Sequence, residues 1–195
     1  MSPLSWNLNK LAFLLAFSSA LGGPERPDPL AVAAQRKIDM IQGGHARAGS
    51  TLVFPVAELN AWARYKVPQV VPEGVRQPRL ELGKGTATAY ALVDFVKVRQ
   101  GQGETTNWLI AKLIEGEKPV KVAAQVQSAN GQGTVHLLRI EIGGLAVSGN
   151  TLDVLIRTFF LPLFPNAKID TPFELADRVD RIEVSPAEAR VIIKK

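Results

Sequence analysis

The sequence predicts an α+β fold in which a curved antiparallel sheet of about six to seven strands packs against three or four helices. Three observations carry that expectation. Apolar and polar residues alternate from Thr86 to Val98 and again from Pro119 to Gln127. The dipeptide Asn130-Gly131, a strong hairpin signal, separates the second of these stretches from another. Segments with apolar residues three or four apart sit between hairpins, which favours an antiparallel sheet over βαβ units.

Taken in order, residues 1–20 read as a cleavable secretory signal, with Lys10 ahead of an apolar block from Leu11 to Phe17 and the small residues Ser18 and Ala20 at the cleavage position. A docked surface helix would alternate polar with apolar positions, and this segment does not. The block is also shorter than the roughly 20 residues needed to cross a bilayer. Residues 21–28 form a linker and residues 29–195 a single domain.

In that domain Asp28 caps a helix that starts at Pro29, runs to about Ile41 and stops at Gly43-Gly44, with Leu30, Ala34, Ile38 and Ile41 facing inward. A short strand at 50–54 precedes a second helix, Val56 to Lys66, whose Leu59 and Trp62 face the core and which Pro68 stops. A strand from Arg79 to Leu82 turns at Gly83-Lys84-Gly85 into the strand Thr86 to Val98. One face of that strand carries Ala87, Ala89, Ala91, Val93 and Phe95, and the other Thr86, Thr88, Tyr90 and Asp94. Three alanines in succession leave room for a helix or a ligand against the sheet.

A helix from Thr106 to Glu115 and a strand from Pro119 to Gln127 follow, the latter with Val120, Val122, Ala124 and Val126 inward. The return strand spans Gly133 to Ile142. After a helix from Asn150 to Phe164, a hairpin pairs Arg178–Val184 with Ala189–Lys194 across Ser185-Pro186.

Composition narrows the function classes. The chain of 195 residues has 46% hydrophobic residues and no cysteine. Disulfides, thiolate metal sites, thiol nucleophiles and a lipid-modified cysteine are thereby excluded. Lys plus Arg number 23 against 18 for Asp plus Glu, a net charge of +5, but the basic residues are scattered. That spread predicts mild attraction to anionic surfaces and no nucleic-acid partner.

The two histidines, His45 and His136, have no metal-ligand spacing, and no Gly-x-Ser-x-Gly elbow supports a nucleophile. Gly101-Gln102-Gly103 and Gly131-Gln132-Gly133 lack the further residues of a phosphate loop and read as turns. The carboxylates Asp94, Asp180 and Glu183 sit on strands, where solvated or arginine-paired roles are the simplest reading. No catalytic residue, metal ligand or cofactor is expected, and the chain reads as a non-enzyme.

The segment from Thr151 to Phe164 is unusual. Leu152, Leu155, Ile156, Phe159 and Leu163 make an apolar stripe, yet Val154, Phe160 and Leu161 lie outside it, leaving Asp153 and Arg157 as a narrow polar edge. Such a helix is buried on two sides, the default, or serves an apolar partner. In the second case Phe159, Phe160 and Phe164 line a cavity or touch a membrane, and Pro162 and Pro165 end the helix at an aromatic tip.

Several short motifs add a resemblance. They are Ala57-Glu58-Leu59-Asn60-Ala61, Pro72-Glu73-Gly74-Val75, Ala91-Leu92-Val93-Asp94-Phe95, Gly143-Gly144, Pro172-Phe173-Glu174-Leu175 and Val179-Asp180-Arg181-Ile182-Glu183-Val184. In these the chain resembles bacterial exported proteins with a tubular lipid-binding (TULIP)-like domain. The resemblance implies a curved sheet wrapped on a helix, with an apolar groove that can hold an acyl chain, and it brings no catalytic residues. The segment is shorter than a full tubular module.

The resulting expectation is a periplasmic or extracellular envelope protein that binds a lipid or other apolar small molecule between sheet and helix. Its lining would be Ala87, Ala89, Ala91, Leu152, Leu155, Ile156, Phe159, Phe160 and Phe164. An alternative is an assembly subunit whose apolar helix docks on a membrane surface or into an envelope complex. A third is a hydrolase with an unrecognised carboxylate site.

Overall fold

The computed structural model describes residues 28–70, 74–98, 115–161 and 168–195. The expected signal segment, its linker up to residue 27 and the expected helix from Thr106 to Glu115, except Glu115 itself, lie outside the described residues.

The architecture is α+β and every strand pairing is antiparallel. Where one sheet of about six to seven strands was expected, the described residues form nine strands in two sheets. In chain order the elements are α1 (Pro29–Gln42), β1 (Thr51–Pro55), α2 (Val56–Val70), β2 (Val75–Gly83), β3 (Thr86–Asp94) and the single turn α3 (Phe95–Val98). They continue with β4 (Glu117–Ala129), β5 (Gln132–Ile142), β6 (Leu145–Val147), α4 (Gly149–Leu155) with a π-helical turn over Ile156–Phe160, then β7 (Phe173–Glu174), β8 (Val179–Val184) and β9 (Glu188–Ile193). The large sheet has the order β2-β3-β4-β5-β6, with β7 on β5, and the small sheet β1-β9-β8.

Helix α1 starts as its sequence dictates. The Asp28 carboxylate accepts the Leu30 N–H at 2.9 Å, and Pro29 occupies a first-turn position where no N–H is needed. Its buried face is Ala31, Ala34, Ile38 and Ile41. The expected Leu30 is 43% exposed, because the inward stripe of a 3.6-residue helix passes through Ala31 instead.

Helix α2 runs on past Lys66 to Val70 with Pro68 inside it, contrary to expectation. Pro68 and Arg64 both lie on the exposed side, so the Arg64 carbonyl that loses its helical donor can be hydrated. Trp62 Nε1 donates to Gln35 Oε1 at 2.8 Å and ties α2 to α1.

These two helices cover the small sheet. Ala34, Ile38 and Ile41 meet Phe54, Leu59, Trp62, Val179, Ile182, Ala189, Val191 and Ile193 in a first core, which Leu80 and Leu82 of the large sheet border. Each large side chain so buried contributes about 1.5–3 kcal/mol. A second core lies at the far end of the large sheet, where Phe95, Ile142, Val147 and Leu155 gather with Val67, Val75, Val93, Val120, Ile140 and Leu152 around them. Helix α2 spans both cores, with Leu59 and Trp62 in the first and Val67 at the second.

The outward carbonyls of edge strand β8 join the two sheets. Gly131 N–H donates to Asp180 O at 2.7 Å, and Gly85 N–H donates to Val184 O at 2.9 Å. Between them, the Ser128 hydroxyl donates to Ile182 O at 2.8 Å and accepts from Ile182 N–H at 2.7 Å. Both glycines lie in hairpin turns with positive φ, 66° at Gly85 and 78° at Gly131, a conformation that costs glycine little. With Asn130 at 53°, the Asn130-Gly131 turn has the two positive φ values of a type I′ hairpin.

Two further expectations are corrected here. The strand from Thr86 ends at Asp94 rather than Val98, because the chain turns into α3, where Asp94 Oδ1 accepts the Lys97 N–H at 3.2 Å. Of the expected helix from Asn150 to Phe164, the described residues are α-helical over Gly149–Leu155 and π-helical over Ile156–Phe160, and residues 162–164 lie outside the described residues. The helix widens over the second stretch so that Leu161 N–H donates to Ile156 O at 2.8 Å, five residues back.

Candidate functional site

Because register partners in a sheet share a face, pairing places the expected alanines among their neighbours. Ala89 stands between Leu80 of β2 and Val122 of β4, and Val122 in turn opposes Ile140. On either side run the rows Leu82–Ala87–Ala124 and Ala91–Val120–Ile142. This is one continuous apolar face, and Ala89 is exposed at its middle while Leu80, Val122 and Ile140 are half-buried. The first core takes up Leu80 and Leu82, and the second takes up Val120 and Ile140. Ala89 and Val122 lie between the two, Ala89 exposed and Val122 half-buried.

The helical half of the expected lining divides. Leu155 is buried in the second core beside Phe95, Ile142 and Val147, and Leu152 packs against them. Ile156 and Phe160 are half-buried, and Val154 is 36% exposed. The Phe159 side chain and the whole of Phe164 lie outside what the structure describes. Leu80 and Val122 were not expected in the site. Their alternation was readable, but only the register sets them on either side of Ala89.

The opposite face of the large sheet is polar and internally paired. Tyr90 donates its hydroxyl to Glu81 Oε2 at 2.7 Å, the Arg79 guanidinium pairs with Glu81 and stacks 4.1 Å from the Tyr90 ring centroid, and Lys121 lies 5.9 Å from the same ring. The hydrogen bond from Tyr90, then that from Arg79, holds the Glu81 carboxyl below its ordinary range. The same bond to Glu81 pushes the Tyr90 hydroxyl up.

The carboxylates weighed from sequence have neighbours of this kind too. Asp180 and Glu183 both pair with Arg181, at 2.8 and 2.9 Å, which raises the Arg181 guanidinium with Glu183 as the larger cause. His45 is exposed in a loop, and His136 Nδ1 lies 3.1 Å from Asp170 Oδ1. Among the described residues no charged side chain is buried, no group of His, Asp and Glu is placed to hold a metal, and no helix is long and apolar enough to cross a membrane.

No protein-family model matches the chain, and no curated protein or solved structure matches it either.

Proposed function

We propose that this chain is an exported, non-catalytic protein of the cell envelope, periplasmic or extracellular, that holds a lipid or other apolar molecule on its large sheet. The occupant lies between the alanine-bearing strand β3 and the helical segment from Gly149 to Phe160. The observation that supports this reading most is the exposure of Ala89 in the middle of an otherwise apolar face, with a core on either side. An apolar strip of that kind is unfavourable in water and becomes favourable when an apolar molecule covers it. The half-buried Ile156 and Phe160 supply apolar surface on the helical side. A curved form of the sheet, as in the tubular lipid-binding-like proteins that the sequence resembles, would suit an acyl chain, and export rests on the segment from Met1 to Ala20.

A second reading, docking into an envelope complex, draws on Val154 at 36% and Leu145 at 64% exposure near the helical segment. Native mass spectrometry of the protein purified from a lipid-containing extract separates the two. A retained mass of lipid size that disappears in Ala89→Phe supports the ligand. A stoichiometric protein partner with no small-molecule adduct supports docking and overturns it.

A further inference from the structure

We infer that Asn130 is a site of spontaneous deamidation that the fold keeps closed, and that its conversion to aspartate or isoaspartate reports release of the β4–β5 turn from β8. This stands apart from the ligand reading. Asn130 is the one asparagine of the chain that glycine follows. That pairing matters because the reaction begins at the following amide, and glycine has no side chain to obstruct it. The Gly131 N–H gives its proton to hydroxide, and the nitrogen forms a bond to Asn130 Cγ. The bond from Cγ to the side-chain nitrogen breaks, and ammonia leaves after taking a proton from water. A water molecule then opens the cyclic imide at one of its two carbonyls, giving aspartate or isoaspartate.

Asn130 is exposed, so hydroxide and water reach its side chain. The attacking nitrogen is held differently. Gly131 is buried, its N–H donates to Asp180 O at 2.7 Å, and its carbonyl accepts the Leu175 N–H at 2.8 Å. Lys194 lies over the same residue, with Nζ 2.8 Å from where a Cβ on Gly131 would stand. Ring closure needs the peptide plane between Asn130 and Gly131 to turn far from its type I′ orientation, which breaks the bond to Asp180. Amide hydrogen exchange at Gly131 has the same first requirement, that the N–H leave its acceptor. Three segments distant in sequence thus hold one reactive nitrogen in place.

The two products bear differently on the fold. Isoaspartate carries the backbone through Cγ and adds a carbon to the turn, which disturbs the pairing of Ala129 with Gln132. Aspartate keeps the backbone and puts a negative charge in the turn that Lys194 covers.

The test incubates the full chain at mildly alkaline pH, folded in buffer and unfolded in guanidinium chloride. Mass spectrometry follows the peptide that contains Asn130, with aspartate and isoaspartate separated by chromatography. Hydrogen exchange on the folded protein gives the protection of Gly131. In the unfolded chain Asn130 is expected to convert before every other asparagine. In the folded chain it should convert at least about tenfold more slowly, and the slowing should fall in step with Gly131 protection as guanidinium is raised below the unfolding transition. Equal rates in the folded and unfolded chain overturn the inference. A folded rate that stays fixed while Gly131 protection falls overturns it too, because release of the turn is then not the gate. Failure of Asn130 to convert first in the unfolded chain overturns the site itself.

Discussion

The Asn60 side chain grips the backbone of Leu80 in both directions, Nδ2 donating to the Leu80 carbonyl at 2.8 Å and Oδ1 accepting the Leu80 N–H at 2.7 Å. Leu80 lies on β2, the edge strand of the large sheet, so the amide of a helical residue stands in for the next strand. The clasp fixes α2 against the edge and with it one wall of the strip around Ala89. Lys37 does something similar on β1, the edge of the small sheet, where its ammonium donates to Val53 O at 2.6 Å while pairing with Glu58.

Replacing Asn60 by Ala leaves a part-buried N–H and C=O without partners. The expected loss is about 2 kcal/mol, which lowers the melting temperature of a domain of this size by about 4–8 °C. Thermal denaturation followed by circular dichroism checks this, with the exposed Gln69→Ala as a control expected to move the midpoint little.

The joint between the sheets predicts a hydrogen-exchange pattern. Ser128→Ala removes both the donor to Ile182 O and the acceptor of Ile182 N–H, so the Ile182 amide should exchange about tenfold faster or more. The amides of Gly85 and Gly131 donate to Val184 and Asp180 instead and should change less. Uniform acceleration across all three would show that the joint opens as one unit.

Tyr90 and Glu81 predict a titration. The bond needs a neutral Tyr90 and an ionised Glu81, so Glu81 sits low and Tyr90 high. The Glu81 contribution to stability is present above its unfolded pKa and lost as pH falls through its depressed folded value. The Tyr90 contribution is present below its unfolded pKa and lost as pH rises through its raised folded value. Glu81→Gln should bring the Tyr90 midpoint down toward that of an ordinary tyrosine, read by ring carbon NMR shifts against pH. An unchanged midpoint would place the cause elsewhere.

The inward face of α1 can be tested directly. Ile38, at 1% exposure, should cost about 2–5 kcal/mol on replacement by Ala. Leu30→Ala, at a position 43% exposed, should cost a small fraction of that. Urea denaturation of the two variants compares them.

That comparison also marks how far the sequence could be read. Local signals translated well: the Asp28 cap and the Asn130-Gly131 hairpin each depend on a few neighbouring residues and reappear as expected. Pairing keeps the expected residues of β3 and β4 on one face, although β3 stops at Asp94 and its inward Ala89 is exposed. Leu30 failed because two apolar residues in succession, Leu30 and Ala31, offer two choices of helical stripe, and packing against the small sheet decides between them. Pro68 failed as a stop because it and Arg64, whose carbonyl it orphans, lie on the exposed side of α2, where water can reach that carbonyl. The division into two sheets depends on contacts such as Ser128 with Ile182, far apart in sequence, and on bulges such as the shift between Arg76 and Arg79, where Gln77 has a φ of 51°. Periodicity carries neither. For the candidate site the alanine face was legible, whereas Leu80 and Val122 beside it follow from register alone.

The central claim is that the apolar face around Ala89 takes a ligand while the opposite face of the same sheet does not. Methyl NMR of protein labelled at alanine, titrated with dodecanoate, tests it, because Ala123 on β4 points to the polar face and serves as an internal reference. The account predicts saturable shifts at Ala87, Ala89 and Ala91 with Ala123 unmoved. Shifts of equal size at Ala123, or no saturable shift at Ala89, would contradict it.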